Sequence, residues 1–154
     1  ITCRDWSSDV CSSDLIKLID LGIARAESGE VDIYLTQKDT IVGSYPYLSP
    51  ERVKGPGVDF RSDIYSLGAT YYHLLTGMPP YLDTYKGSGG KDLLEYLVKI
   101  RTKKMPTPPD KLVSNIPASV SDCIMTMLNI KSNKRFDTAE QMLEAFEKIY
   151  AEVK

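Results

Sequence analysis

Asp20 closes a short apolar run, Ile16-Lys17-Leu18-Ile19, and is followed by Leu21-Gly22. A β-type run ending in an acid reads as a strand delivering a carboxylate to a loop. Carboxylate oxygen is the donor that a hard divalent cation takes, although Asp-x-Gly also marks ordinary turns, so the triplet alone specifies little. Residues 23–48 then separate it from Ser49-Pro50-Glu51, and among the hydroxyl side chains in that stretch are Thr36, Thr40 and Ser44. The stretch has no sustained hydrophobic period and reads as a loop, which suits a switchable segment better than a core. Farther on come Asp63, at a helix start where the dipole favours an acid, and Arg135, within SNKRFDTAEQML (132–143).

Other groups carry less. GSGGKD (87–92) fails as a phosphate-binding Gly-rich loop, because Tyr85 and Asp92 occupy the positions of its first Gly and its Ser/Thr. His73 is the single histidine and has no acid or thiol at ligand spacing, so a packed helical His is the plain reading.

The elements that must position these residues follow from periodicity. From Ser62 the pattern turns helical, with Ile64, Leu67, Tyr71 and Leu74-Leu75 assigned to one face and Gly77 with Pro79-Pro80 as the stop. DTYKGSGGKD (83–92) reads as a flexible connection. A second helix puts Leu93, Leu94, Leu97 and Ile100 on one side, and MPTPPD (105–110) breaks it. A third covers roughly 119–129, with Val120, Ile124 and Met127-Leu128 inward. Thr138 with Gln141 forms a capping-box pattern that starts a last helix carrying Met142, Leu143, Phe146, Ile149 and Tyr150. The expectation is a mainly α domain, with one strand, a long loop and four helices.

The first fifteen residues stand apart. DWSSDVCSSDL (5–15) resembles the translation of a common sequencing-library adaptor that ends inside the codon of Leu15. Arg4 fits the bases just upstream, and Ile1 to Cys3 fit a barcode. A segment of processing origin carries no fold information, so 1–15 is set aside and 16–154 is read as one domain. Removing Arg4, Asp5, Asp9 and Asp14 takes 19 basic and 21 acidic residues to 18 and 18, and the formal charge from −2 to zero. Neither a nucleic-acid nor a membrane partner follows from such a balance. Cys123 is then the only thiol, which excludes an internal disulfide and suits a reducing cytoplasm. No apolar run approaches the 18 residues of a membrane helix, and the chain reads as soluble.

Asp20-Leu21-Gly22, Ser49-Pro50-Glu51, DFRSDIYSLG (59–68) and Arg135 together resemble the large, helical C-terminal lobe of a Hanks-type serine/threonine protein kinase. RSDIYSLGATYYHLLTGMPPY (61–81) is most similar to bacterial members. The resemblance covers 16–154, from the metal-binding Asp motif to the last helix, and begins after the catalytic loop of that α+β fold. Leu21 departs from the usual Phe but stays bulky and apolar. Cys3-Arg4-Asp5 imitates the family's His-Arg-Asp triplet, but Val10 stands where the metal-binding Asn should follow.

The resemblance implies ATP and Mg2+ as cofactors, with Asp20 as the metal and nucleotide contact. It places Ser44 beside the catalytic base and Tyr45 at the pocket for the residue after the phosphoacceptor, where many relatives have Pro. Thr36 and Thr40 lie where activating phosphorylation usually falls. Glu51 is expected to pair with Arg135, and Asp63 to hold the backbone of a catalytic loop that this chain does not contain; all three are structural. Protein substrates bearing Ser or Thr are implied, and a dimer of kinase domains is compatible with the pattern. With no group to accept the substrate proton, the chain by itself is expected to be inactive, though its parent is a kinase. The competing expectation is a pseudokinase or protein-docking module, against which the retained Asp20 argues.

Overall fold

The computed structural model describes residues 45–54, 58–87 and 90–154. Asp20, Thr36, Thr40 and Ser44, and the strand expected at 16–19, lie outside them. Six helices follow in order: α1 (Pro50–Lys54), α2 (Arg61–Thr76), α3 (Gly90–Arg101), α4 (Pro109–Leu112), α5 (Ala118–Met127) and α6 (Ala139–Val153). Single 3-10 turns occupy Tyr45–Tyr47, Leu82–Thr84 and Ser132–Lys134. There is no strand among the described residues, so this part of the chain is wholly helix and loop.

The long helix α2 is the axis of the packing. Asp59 starts it: its Oδ1 accepts the Arg61 N–H at 2.9 Å and its carbonyl accepts the Ser62 N–H at 2.9 Å. Gly77 ends it in the left-handed region (φ 75°), with its N–H on the His73 carbonyl, as a residue without Cβ allows. The buried stripe is Ile64, Tyr65, Gly68, Ala69 and Tyr72, spaced as one face of a 3.6-residue helix. Leu67 and Tyr71 pack at the margin of this core.

Leu74 and Leu75 do not join that face. Leu74 is 75% exposed, because it sits two residues past Tyr72, roughly 200° around the helix. The two small residues Gly68 and Ala69 hold the inward position instead, and they let α5 come close. A Cβ added at Gly68 would stand 2.7 Å from the Cβ of Met127. Across that contact Ile124, Met127 and Leu128 complete the core with Ile64, Tyr65, Ala69 and Tyr72. Each such fully buried side chain stabilises the fold by about 1.5–3 kcal/mol relative to exposure.

The Pro-rich stretch expected only to break a helix also begins one. Pro109 starts α4, where its fixed φ and missing N–H cost nothing. The Tyr72 hydroxyl donates to the Thr107 carbonyl at 2.8 Å and pins this stretch to α2.

Thr138 caps α6 by accepting the Gln141 N–H at 3.2 Å. Gln141 reaches back to the N–H of Asp137 rather than to that of Thr138, so the box closes one residue early. Met142 and Phe146 pack on the core, and Phe146 meets Tyr71 edge-on with centroids 5.5 Å apart. Leu143 and Tyr150, the other large apolar residues of this helix that stand out in the sequence, are 57% and 69% exposed. Leu143 lies about 100° round the helix from Met142, whereas Tyr150 follows Phe146 on the same line but falls outside the packed cluster, so only the first part of that line is covered. No helix among the described residues is long and apolar enough to cross a membrane.

Candidate functional site

Ser49-Pro50-Glu51 runs from the turn at Tyr45–Tyr47 into α1, whose first turn carries Glu51. Pro50 opens the helix and is buried together with Ser49. This brings the Glu51 carboxylate to the start of α2 and to the loop between α5 and α6, where Arg135 waits.

Arg135 and Glu51 form a two-pronged pair. Nη1 donates to Oε1 at 2.6 Å and Nη2 to Oε2 at 2.9 Å, the fork-to-carboxylate geometry that makes arginine pairs strong. Two further donors are used: Nη1 bonds to the Arg61 carbonyl and Nε to the Asn129 carbonyl, both at 2.8 Å. The guanidinium carbon lies 5.0 Å from the Tyr65 ring centroid, a cation–π contact away from water. No Arg135 side-chain surface is exposed, so removing its partner would strand a buried charge.

Ser62 completes the knot. Its hydroxyl donates to Glu51 Oε1 at 2.6 Å, and the residue has no exposed surface. Burial works to raise the Glu51 pKa, but the bonds from Arg135 and Ser62 outweigh it and hold the carboxyl at about 2. Glu51 is therefore ionised wherever the protein is folded at neutral pH. Ser62 is a first-turn residue of α2 whose side chain faces Glu51 and serves as its second donor.

Asp63 sits in the first turn of α2 and is exposed; Arg52 Nη2 lies 2.8 Å from its Oδ1. A pair this open to water is worth about 0–1 kcal/mol. His73 is half-buried and takes part in a specific contact: the Tyr47 hydroxyl is 2.6 Å from its Nδ1, and the two rings stack at 6.0 Å.

Tyr45 is half-buried, and the guanidinium of Arg101 lies 5.6 Å from its ring centroid. Arg101 escaped the sequence reading, because a basic residue in the last turn of a helix reads as a dipole partner facing solvent. It is instead fully buried.

Among the described residues no cluster of three or more Asp, Glu, His or Cys side chains could hold a metal ion. The magnesium expectation rests on Asp20, outside the described residues.

Compared with the families of known proteins, residues 8–146 match the family described as Protein kinase domain. Among curated proteins the chain is similar to the serine/threonine-protein kinase PknB of Mycobacterium leprae, at 31% identity over 86% of this chain and 20% of the relative. It is 33% identical to the protein of the same name from Mycobacterium tuberculosis, over 86% of this chain and 20% of that one. A Clostridium acetobutylicum protein named "Probable serine/threonine-protein kinase" is 37% identical over 88% of this chain and 19% of its own length. The chain thus spans about a fifth of the length of these curated relatives.

Proposed function

The chain belongs to the protein kinase family, and on that premise we propose that residues 16–154 are the helical part of a protein serine/threonine kinase. Such an enzyme moves the γ-phosphoryl group of ATP onto Ser or Thr hydroxyls of protein substrates. The observation that carries the reading is the acid of Ser49-Pro50-Glu51 locked by a buried guanidinium and a buried hydroxyl to the helical core. That arrangement gives a substrate-binding segment a fixed floor. The names of the relatives, serine/threonine-protein kinases, support the substrate class.

In the proposed reaction ATP with Mg2+ supplies the phosphoryl group. Asp20 would hold the metal, Ser44 would stand beside the catalytic base, and Tyr45 would line the pocket for the residue after the phosphoacceptor. Thr36 and Thr40 are the proposed acceptors of a regulatory phosphate. Glu51, Arg135 and Asp63 are structural. The substrate oxygen bonds to the γ-phosphorus, ADP leaves with the electrons of the broken bond, and the hydroxyl proton passes to a carboxylate base not assigned within 16–154. The 154-residue polypeptide by itself is therefore proposed to be inactive. The setting is the cytoplasm, with protein substrates and a second kinase domain as partners.

The test is to give the complete kinase ATP, magnesium and a general protein substrate. Phosphoserine or phosphothreonine should form, and Asp20→Asn should abolish it. A complete protein that binds partners through its helical surface and transfers nothing would make this a docking module instead.

A further inference from the structure

Arg101 is the last residue of α3, and its side chain has no exposed surface. Its Nε donates to the Leu97 carbonyl one turn back, at 2.9 Å. Nη1 reaches 53 residues back in sequence to the Leu48 carbonyl, immediately before Ser49-Pro50-Glu51. The guanidinium carbon lies over the ring of Tyr45, 5.6 Å from its centroid. One side chain thus grips both ends of Tyr45–Leu48, the ring at one and the backbone at the other.

The surroundings are costly to build. Nη2 of Arg101 and the hydroxyls of Tyr65 and Tyr81 are all buried, and none has a hydrogen-bond partner of normal geometry. The two tyrosines nonetheless lie close enough to couple electrostatically with each other and with Arg101. Tyr81, itself fully buried, adopts a left-handed backbone (φ 72°), which a residue with a Cβ rarely takes. Burial pushes both phenols up and the guanidinium down, so all three groups sit in a place hostile to charge. Backbone strain and unmet polar atoms concentrated at one point are features that persist where position matters more than stability.

We propose that Arg101 is a positioning residue for substrate recognition, holding Tyr45–Leu48 in the shape that receives the residue after the phosphoacceptor. The inference rests on the reading of Tyr45 as part of that pocket. Arg101 touches no reacting atom; it acts through Tyr45 and the Leu48 carbonyl. α3 thereby sets selectivity for a segment that precedes it by some fifty residues.

The experiment uses the complete kinase and a set of Ser peptides that vary only in the residue following the serine. In Arg101→Met the peptide KM should rise about tenfold and the selectivity at that residue should flatten, while the KM for ATP stays unchanged. Arg101→Lys keeps a charge over Tyr45 but loses the rigid fork, and should fall between. Should Arg101→Met not fold, Arg101→Lys and Tyr45→Leu carry the test, the latter removing the ring and leaving the hydrogen bonds to Leu97 and Leu48. Wild-type peptide KM and selectivity in these variants would overturn the inference. So would losses in which the KM for ATP moves equally, since those report general damage. A wild-type kinase that transfers no phosphoryl group sinks the functional reading and this inference together; one that transfers while the variants behave as wild type sinks this inference alone.

Discussion

Arg135 meets Glu51 across 84 residues of sequence through two parallel hydrogen bonds, at 2.6 and 2.9 Å, with the arginine wholly buried. Removing either partner leaves the other charged and poorly hydrated. Glu51→Ala and Arg135→Ala are each expected to cost about 3–5 kcal/mol in chemical denaturation. The double variant should cost clearly less than the two summed, because the pair is one interaction. Additive losses would show that the two side chains act independently.

The same pair makes acid stability a direct readout. Glu51 titrates at about 2 when folded, against an ordinary value of 4.5. A lowered folded pKa means that the contribution is complete above about pH 4.5 and is lost as pH falls toward 2. At full value the shift corresponds to about 3 kcal/mol, and solvent reaching the carboxyl brings the expected loss nearer 2. Between pH 5 and about 2.5 the wild type should lose that much more stability than Glu51→Gln, which has nothing to protonate there. Parallel acid profiles for the two proteins would refute it.

Gly68→Ala tests the closeness of α2 and α5. The new methyl would stand 2.7 Å from the Met127 Cβ, so one helix must shift, at about 1–3 kcal/mol. Met127→Ala should not rescue it, because alanine keeps the offending Cβ. A Gly68→Ala variant as stable as wild type would mean that the helices part freely.

Thr138→Ala removes the cap that accepts the Gln141 N–H. About 1 kcal/mol should be lost, with faster amide exchange confined to the first turn of α6. Exchange that quickens throughout the core would assign Thr138 a wider role.

Leu74→Gln should change stability by no more than about 0.5 kcal/mol, since Leu74 lies on the solvent side of α2. A loss of several kcal/mol would put the leucine back in the core.

Helix existence was readable because apolar periodicity is strong over 61–76, 90–101, 118–127 and 139–153. Orientation was harder. Leu74 and Leu75 look like core by type, while Gly68 and Ala69 contribute little apolar area and look neutral; what decides is how closely two helices must approach, which no single helix encodes. Glu51 and Arg135 are too far apart in sequence for any local pattern to join them, and only the resemblance did. Ser62 as the second donor to Glu51 could not be read, because a hydroxyl in a first turn ordinarily serves its own helix. Arg101 was invisible for a related reason: a helix-terminal arginine is usually hydrated, and its burial follows from the return of Tyr45–Leu48 against α3.

The separation between Glu51 and Arg135 also orders events during synthesis. A ribosome adding about 5–20 residues per second delivers Arg135 about 4–17 s after Glu51. Once Ser62 is made, 11 residues after Glu51, it is the only one of the two side-chain donors present until Arg135 follows. Everything from α2 to α5 is made before Arg135 arrives, and the connection before α6 then closes a loop of 84 residues. The floor of the segment is thus a late-setting latch, fastened only when nearly all the core it rests on has been translated.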